Sequence, residues 1–114
     1  MEYRFTLCAG RHDTPAEKAI FQEIADPMAT NALYKQANAA IPADATKLVV
    51  YVTGLTTAML AVVQVCFDRG ITLVAMNYDR EVGEYLPQDV LWFDHCVFCG
   101  SPKWGDFCPR CGAN

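Results

Sequence analysis

Lys47-Leu48-Val49-Val50-Tyr51-Val52-Thr53 is a dense β-branched run, and Gly54-Leu55-Thr56-Thr57 follows it directly. The run is too apolar for a strand with one wet face and suits a strand covered on both sides, as in parallel sheets. Apolar residues then continue to Cys66 and Phe67, and Arg69-Gly70 is a helix stop with a basic last turn and an exit glycine. Ile71-Thr72-Leu73-Val74-Ala75-Met76 reads as the next strand. Strand, helix of about four turns and strand make a βαβ unit with a right-handed crossover. The expected fold is α/β, a small Rossmann-like and mostly parallel sheet with flanking helices.

Working outward, Tyr3-Arg4-Phe5-Thr6-Leu7-Cys8 reads as a first strand running into the polar turn Arg11-His12-Asp13. Thr14-Pro15-Ala16-Glu17 carries the marks of a helix start: a threonine cap, proline at the first position and glutamate closing a capping box. Ala16, Ile20, Phe21 and Ile24 would form the apolar face of that helix. Asp26-Pro27 restarts the pattern for a second helix, with Met28, Ala32, Leu33 and Ala37 inward, ending before Ile41-Pro42. Helical connections of this kind allow the first two strands to run parallel.

The central helix is poor in polar residues. Leu55, Met59, Val62 and Cys66 make one apolar row, and Leu60, Val63 and Phe67 another. Thr57, Gln64 and Asp68, with Ala61 between them, leave only a narrow polar stripe. Such a helix calls for cover from other parts of the chain or from a second copy, so a homodimer is expected. Beyond the third strand, 77–85 is polar and turn-rich, and Val90-Leu91-Trp92-Phe93 reads as a short strand or packing arm.

With 114 residues, 53% hydrophobic and 19% charged, the chain is long enough to bury a core in one domain with a modest appendage. A net charge of −4 argues against broad nucleic-acid binding but not against a small anion held by local donors. The start of the chain is no signal peptide, and no apolar run is long enough to span a bilayer, so a cytoplasmic location without membrane contact is expected. Of the six cysteines, Cys8 and Cys66 read as buried small hydrophobes.

The other four form two pairs, Cys96-Val97-Phe98-Cys99 and Cys108-Pro109-Arg110-Cys111, eight residues apart and each followed by glycine. Two intervening residues let a knuckle point both sulfurs at one ion, and four thiolates suit a closed tetrahedral zinc site. The stretch Asp94 to Asn114 resembles the zinc ribbons, giving an expected division into an α/β domain over 1–93 and a ribbon over 94–114. Iron in a rubredoxin-like site is the alternative. With every position filled by sulfur, the metal's expected role is structural. Phe98, Trp104 and Phe107 are expected to form the ribbon's own small core or its contact with the main domain or, alternatively, to stack on bases.

If the three strands are parallel, Arg11-His12-Asp13, Thr53-Gly54-Leu55-Thr56-Thr57 and Asn77-Tyr78-Asp79-Arg80 share one rim, where open α/β sheets bind ligands. Arg11 or Arg80 would clamp a phosphate, and the amides after Gly54 with the Thr56 and Thr57 hydroxyls would complete the cradle. Thr53 belongs to the same turn, and His12 is the candidate general acid or base. Each also has a plain explanation: a solvated loop, a helix N-cap, a surface turn. No Walker motif and no Gly-x-Gly-x-x-Gly is present.

The order of the pieces over about residues 3 to 90 resembles the small Rossmann-like proteins associated with CRISPR systems, the CARF-like ring nuclease group. The likeness lies in the first strand running into Arg11-His12, the strand, turn and helix at Val52 to Thr57, and Val65-Cys66-Phe67-Asp68-Arg69-Gly70-Ile71. It extends to Asp79-Arg80-Glu81-Val82-Gly83-Glu84-Tyr85-Leu86. The resemblance implies a cyclic oligoadenylate bound between two subunits, and in some members its metal-free cleavage by attack of a ribose hydroxyl on phosphorus. By position it would assign Arg11, His12, Thr56 and Thr57 to that work. The zinc ribbon departs from the minimal members of the group. The expected function is binding of a nucleotide or other phosphorylated ligand, with or without cleavage. The alternative is a non-catalytic adaptor whose ribbon docks on protein or nucleic acid.

Overall fold

A computed structural model describes residues 1–10, 14–16, 18–95 and 102–103. The main sheet has five strands in the order β2-β1-β3-β4-β5. These are β1 (Glu2–Cys8), β2 (Ala19–Phe21), β3 (Lys47–Tyr51), β4 (Thr72–Asp79) and β5 (Glu84–Leu91). The first four in that order are mutually parallel, and β5 returns antiparallel on the outside. Two helices complete the domain, α1 (Thr30–Ala40) and α2 (Thr56–Arg69). The fold is thus α/β and mostly parallel, as the β-branched run at 47–53 requires.

Topology explains where the helices lie. From β2 the chain crosses β1 to reach β3 through α1, and from β3 it steps on to β4 through α2. Both steps go the same way, and right-handed crossovers then put both helices on one face. There Leu33 and Ala37 of α1 and Ala58, Ala61, Val62, Val65 and Cys66 of α2 share a core with Phe5, Leu7, Leu48, Val50 and Leu73 of the strands. The β1-to-β2 step goes the other way, and the described part of its connection reaches the opposite face. Ala16 there packs against a smaller cluster of Val49, Tyr51 and Val74. The two directions part between β1 and β3, which makes that pair a topological switch point.

Local chemistry terminates the elements. Gly70 takes the left-handed conformation (φ 66°) after α2, and the Ile71 amide donates to the Cys66 carbonyl at 2.8 Å. That closes the helix as the Arg69-Gly70 pair predicts. Arg69 also reaches the end of α1. Its guanidinium donates to the carbonyls of Asn38, Ile41 and Pro42 at 3.5, 3.1 and 2.5 Å and to the Asn38 side chain at 3.3 Å.

Several expectations need correction. The segment after Thr14 is no helix, and Ala19–Phe21 is instead a strand beside β1. The Thr14 hydroxyl pairs with that of Thr6 and accepts from the Ala16 amide two residues on, which is a turn and not a helix cap. Ile20 and Phe21 are both buried, so closing the open edge of β1 outweighed local helix signals. The second helix starts at Thr30. The Asp26 carboxylate turns the chain through the Met28 amide, leaving Met28 and Ala32 exposed. Ala61, assigned to the polar stripe of α2, is buried, while Leu60 and Phe67 are exposed. The third strand runs on to Asp79, so Asn77, Tyr78 and Asp79 belong to a ladder with Glu84, Tyr85 and Leu86 and not to a turn. Of the arm at 90–93, Val90 and Leu91 end β5, and Trp92 and Phe93 follow it.

A second, two-stranded sheet pairs β6 (Asp94–His95) with β7 (Pro102–Lys103), antiparallel. The first Cys-x-x-Cys pair falls in the connection between them. Cys96, Cys99, Cys108 and Cys111 themselves lie outside the described residues, as do Arg11, His12 and Asp13. Among the described residues no helix is long and apolar enough to cross a membrane.

Candidate functional site

The carboxyl ends of β1, β3 and β4 do share one edge, because the three strands are parallel and in register. Thr53, just past β3, joins two of those ends. Its hydroxyl donates to the Cys8 carbonyl at 3.0 Å and accepts from the Cys8 amide at 3.2 Å, and the residue is 2% exposed. A β-branched residue with one short hydroxyl fits here because the ladder between β1 and β3 ends at Tyr51, leaving the Cys8 groups without a backbone partner on that side.

Gly54 follows, exposed and with φ 96°, a conformation that disfavours any side chain. The chain then enters α2, whose N-cap is Leu55 with no side-chain cap. Thr56 and Thr57 therefore do not cap the helix. Thr56 is exposed on its first turn and Thr57 half-buried.

Facing this turn is the hairpin of β4 and β5, which runs three residues past the end of β3. Its turn is set by Asp79, whose carboxylate accepts from the amides of Glu81 at 2.8 Å and Val82 at 3.3 Å. Gly83 closes it with φ 80°, and its amide donates a hydrogen bond to the Asp79 carbonyl at 2.7 Å. Asp79 thus ends the ladder with Glu84 and, through its carboxylate, sets the turn that follows.

Between turn and hairpin lies a cleft of about 580 Å³, lined by Val52, Thr53, Gly54, Asn77, Tyr78, Arg80 and Tyr85. Two of the lining rings, Tyr78 and Tyr85, meet each other at 5.3 Å, and Tyr85 also meets the buried Tyr51 edge-on at 5.1 Å. Burial, with the neighbouring Tyr78 and Tyr51 phenols, pushes the Tyr85 phenol above its ordinary range. Asn77 donates to the Gln88 side chain at 2.8 Å. Arg80 has no hydrogen-bond or ion-pair partner among the described residues.

Of the expected ligand residues, the structure brings Thr53, Gly54 and Arg80 together, and Thr53 spends its hydroxyl on the backbone. Thr56 and Thr57 do not line the cleft, and Arg11 and His12 lie outside the described residues. Tyr85 was not among the expected site residues. It reaches the cleft only through the Tyr78–Tyr85 register of the hairpin, which a turn at 77–85 hides. The described lining contains a cation, two phenols, an amide and open backbone.

The four cysteines expected to hold a metal lie outside the described residues. No described group of three or more His, Cys, Asp or Glu residues is placed to hold a metal ion. Four thiolate donors at Cys96, Cys99, Cys108 and Cys111 fit zinc by charge and softness. The buried thiol of Cys66 is pushed up to about 12 by desolvation and behaves as an apolar core group. Comparison of the chain with protein-family models, with curated proteins and with solved structures finds no match.

Proposed function

We propose that this chain is a Rossmann-like domain that binds a nucleotide or another phosphorylated ligand in the cleft at the carboxyl rim of its sheet. The observation that carries the reading is Arg80, a guanidinium with no described partner, set in one cleft with Tyr78 and Tyr85. Arginine takes phosphate in a fork of donors, and tyrosine rings stack on a planar base. The cleft also has the volume of small-molecule sites. Cyclic oligoadenylates belong to the ligand class. The same reading includes a zinc ribbon held by Cys96, Cys99, Cys108 and Cys111. Zinc bound there would clamp the fold and leave no open position for chemistry.

Thermal shift and calorimetric titration with inorganic phosphate, mononucleotides and cyclic oligoadenylate test the cleft. A saturable shift is expected with at least one nucleotide. Arg80→Ala should weaken it by roughly tenfold or more, the worth of a charged hydrogen bond, while leaving the unliganded melting point unchanged. If no phosphorylated compound binds, the reading fails. Metal analysis of the same samples is expected to find zinc, and iron or no metal would overturn the ribbon. Sedimentation of those samples tests the homodimer, for which exposed Leu60, Phe67 and Trp92 supply an apolar surface.

A further inference from the structure

A second cleft lies on the same rim. It measures about 300 Å³ and is lined by Cys8, Ala9, Phe21, Gln22, Glu23, Ile24, Pro27 and Leu55. It sits beyond the ends of β1 and β2, as the first sits beyond β3 and the hairpin. The two are adjacent in the chain and across it. Thr53 and Gly54 line the first and Leu55 the second, while Cys8 of the second is hydrogen-bonded to Thr53 of the first. The seam between them is the switch point of the sheet, where doubly wound folds seat dinucleotides across the crevice.

The chemistry of the clefts differs. The first holds the guanidinium of Arg80, which has no partner among the described residues, the open backbone of Gly54 and the tyrosines. The second has apolar walls at Phe21, Ile24, Pro27 and Leu55, and among the described residues its lining holds no cationic side chain and one carboxylate, Glu23. An anion belongs in the first. The second suits an uncharged planar group, with Glu23 and Gln22 at its margin for exocyclic donors.

Resting on the nucleotide reading above, we infer that the rim takes a phosphate-bridged dinucleotide. Its phosphate faces Arg80 and Gly54, its first base lies on Tyr78, and its second base lies between Ile24 and Pro27. A pyrophosphate and a phosphodiester bridge share this chemistry.

Calorimetric titrations of the full chain with AMP, diadenosine pyrophosphate and adenylyl-adenosine separate the cases. At least one bridged compound should bind about tenfold or more tightly than AMP, because a tethered second arm binds at high effective concentration. Which of the two gains names the bridge. Pro27→Trp fills the second cleft and Ile24→Ser strips its wall. Each should return the bridged compound to the affinity of AMP and leave AMP unchanged. Pro27 is exposed, so Pro27→Trp keeps the test valid if Ile24→Ser loosens the fold. Equal binding of AMP and both bridged compounds overturns the second cleft and leaves the first standing. A gain that survives both substitutions also overturns it. Failure of all three compounds overturns both readings together.

Discussion

The two edges of the sheet are built on opposite plans. At one edge β2 has three residues, and Ile20 and Phe21 are 3% and 1% exposed. At the other β5 has eight residues, none buried, with Leu86 and Val90 each 39% exposed. Strand length and contribution to the core therefore run in opposite directions. The short edge closes β1 and joins the core beneath α1 and α2. The long edge holds two tyrosines side by side and carries Arg80 out past the end of β3. Pro87 within β5 has no amide hydrogen, which an outermost strand tolerates and which blunts pairing with another chain. One edge stabilises the domain, and the other gives the rim its wall.

The largest effect should therefore come from the shorter strand. Phe21→Ala is expected to cost about 3–5 kcal/mol in urea denaturation and to lower the stability of the whole domain, since the ring is fully enclosed. A loss under about 1 kcal/mol would show that β2 is an appendage and would end the contrast.

A smaller effect is expected at Tyr85→Leu, which removes two edge-on ring contacts worth together about 1–2 kcal/mol. Its pH dependence has a definite sign. Tyr85 in the folded chain holds its proton more tightly than the usual phenol. Its stabilising share is therefore intact below about pH 10 and is lost as pH rises through the folded value. Tyr3 and Tyr34, which donate to Asp44 at 2.6 Å and Asp68 at 2.8 Å, are raised in the same direction. Urea midpoints should fall as pH rises above about 10 in the parent, and less steeply in Tyr85→Leu. An equal fall in both would remove Tyr85 from the account.

The smallest effect is expected at Leu86→Thr, within about 0.5 kcal/mol, because a half-wet edge residue has little packing to lose. A cost near 2 kcal/mol would mean that β5 is covered in solution, and equilibrium sedimentation at several concentrations would show whether a second copy does so.

The parts legible in the sequence share a cause. The central unit could be read because β-branched density, an exit glycine and a basic last turn agree along β3, α2 and β4. The stretch after Thr14 could not, because a threonine, a proline and a glutamate at capping spacing outvoted Ile20 and Phe21, whose strand pairing depends on the distant β1. The hairpin was hidden for a related reason, since Pro87 argues locally against a strand and only an edge position excuses it. At the rim, Gly54 and Arg80 stand out by residue type, and both line the first cleft. Thr53 was assigned to a ligand when its hydroxyl serves Cys8, and Tyr85 was invisible without the register that sets it beside Tyr78.

Arg69 has a consequence for how the molecule breathes. One guanidinium, rooted in the last turn of α2, holds three carbonyls where α1 gives way to Pro42. Neither helix can fray at that end without stripping acceptors from the same cation, so their opening is tied together. Amide hydrogens in the closing turns of both helices should then exchange at a common rate, and Arg69→Met should let the two rates drift apart.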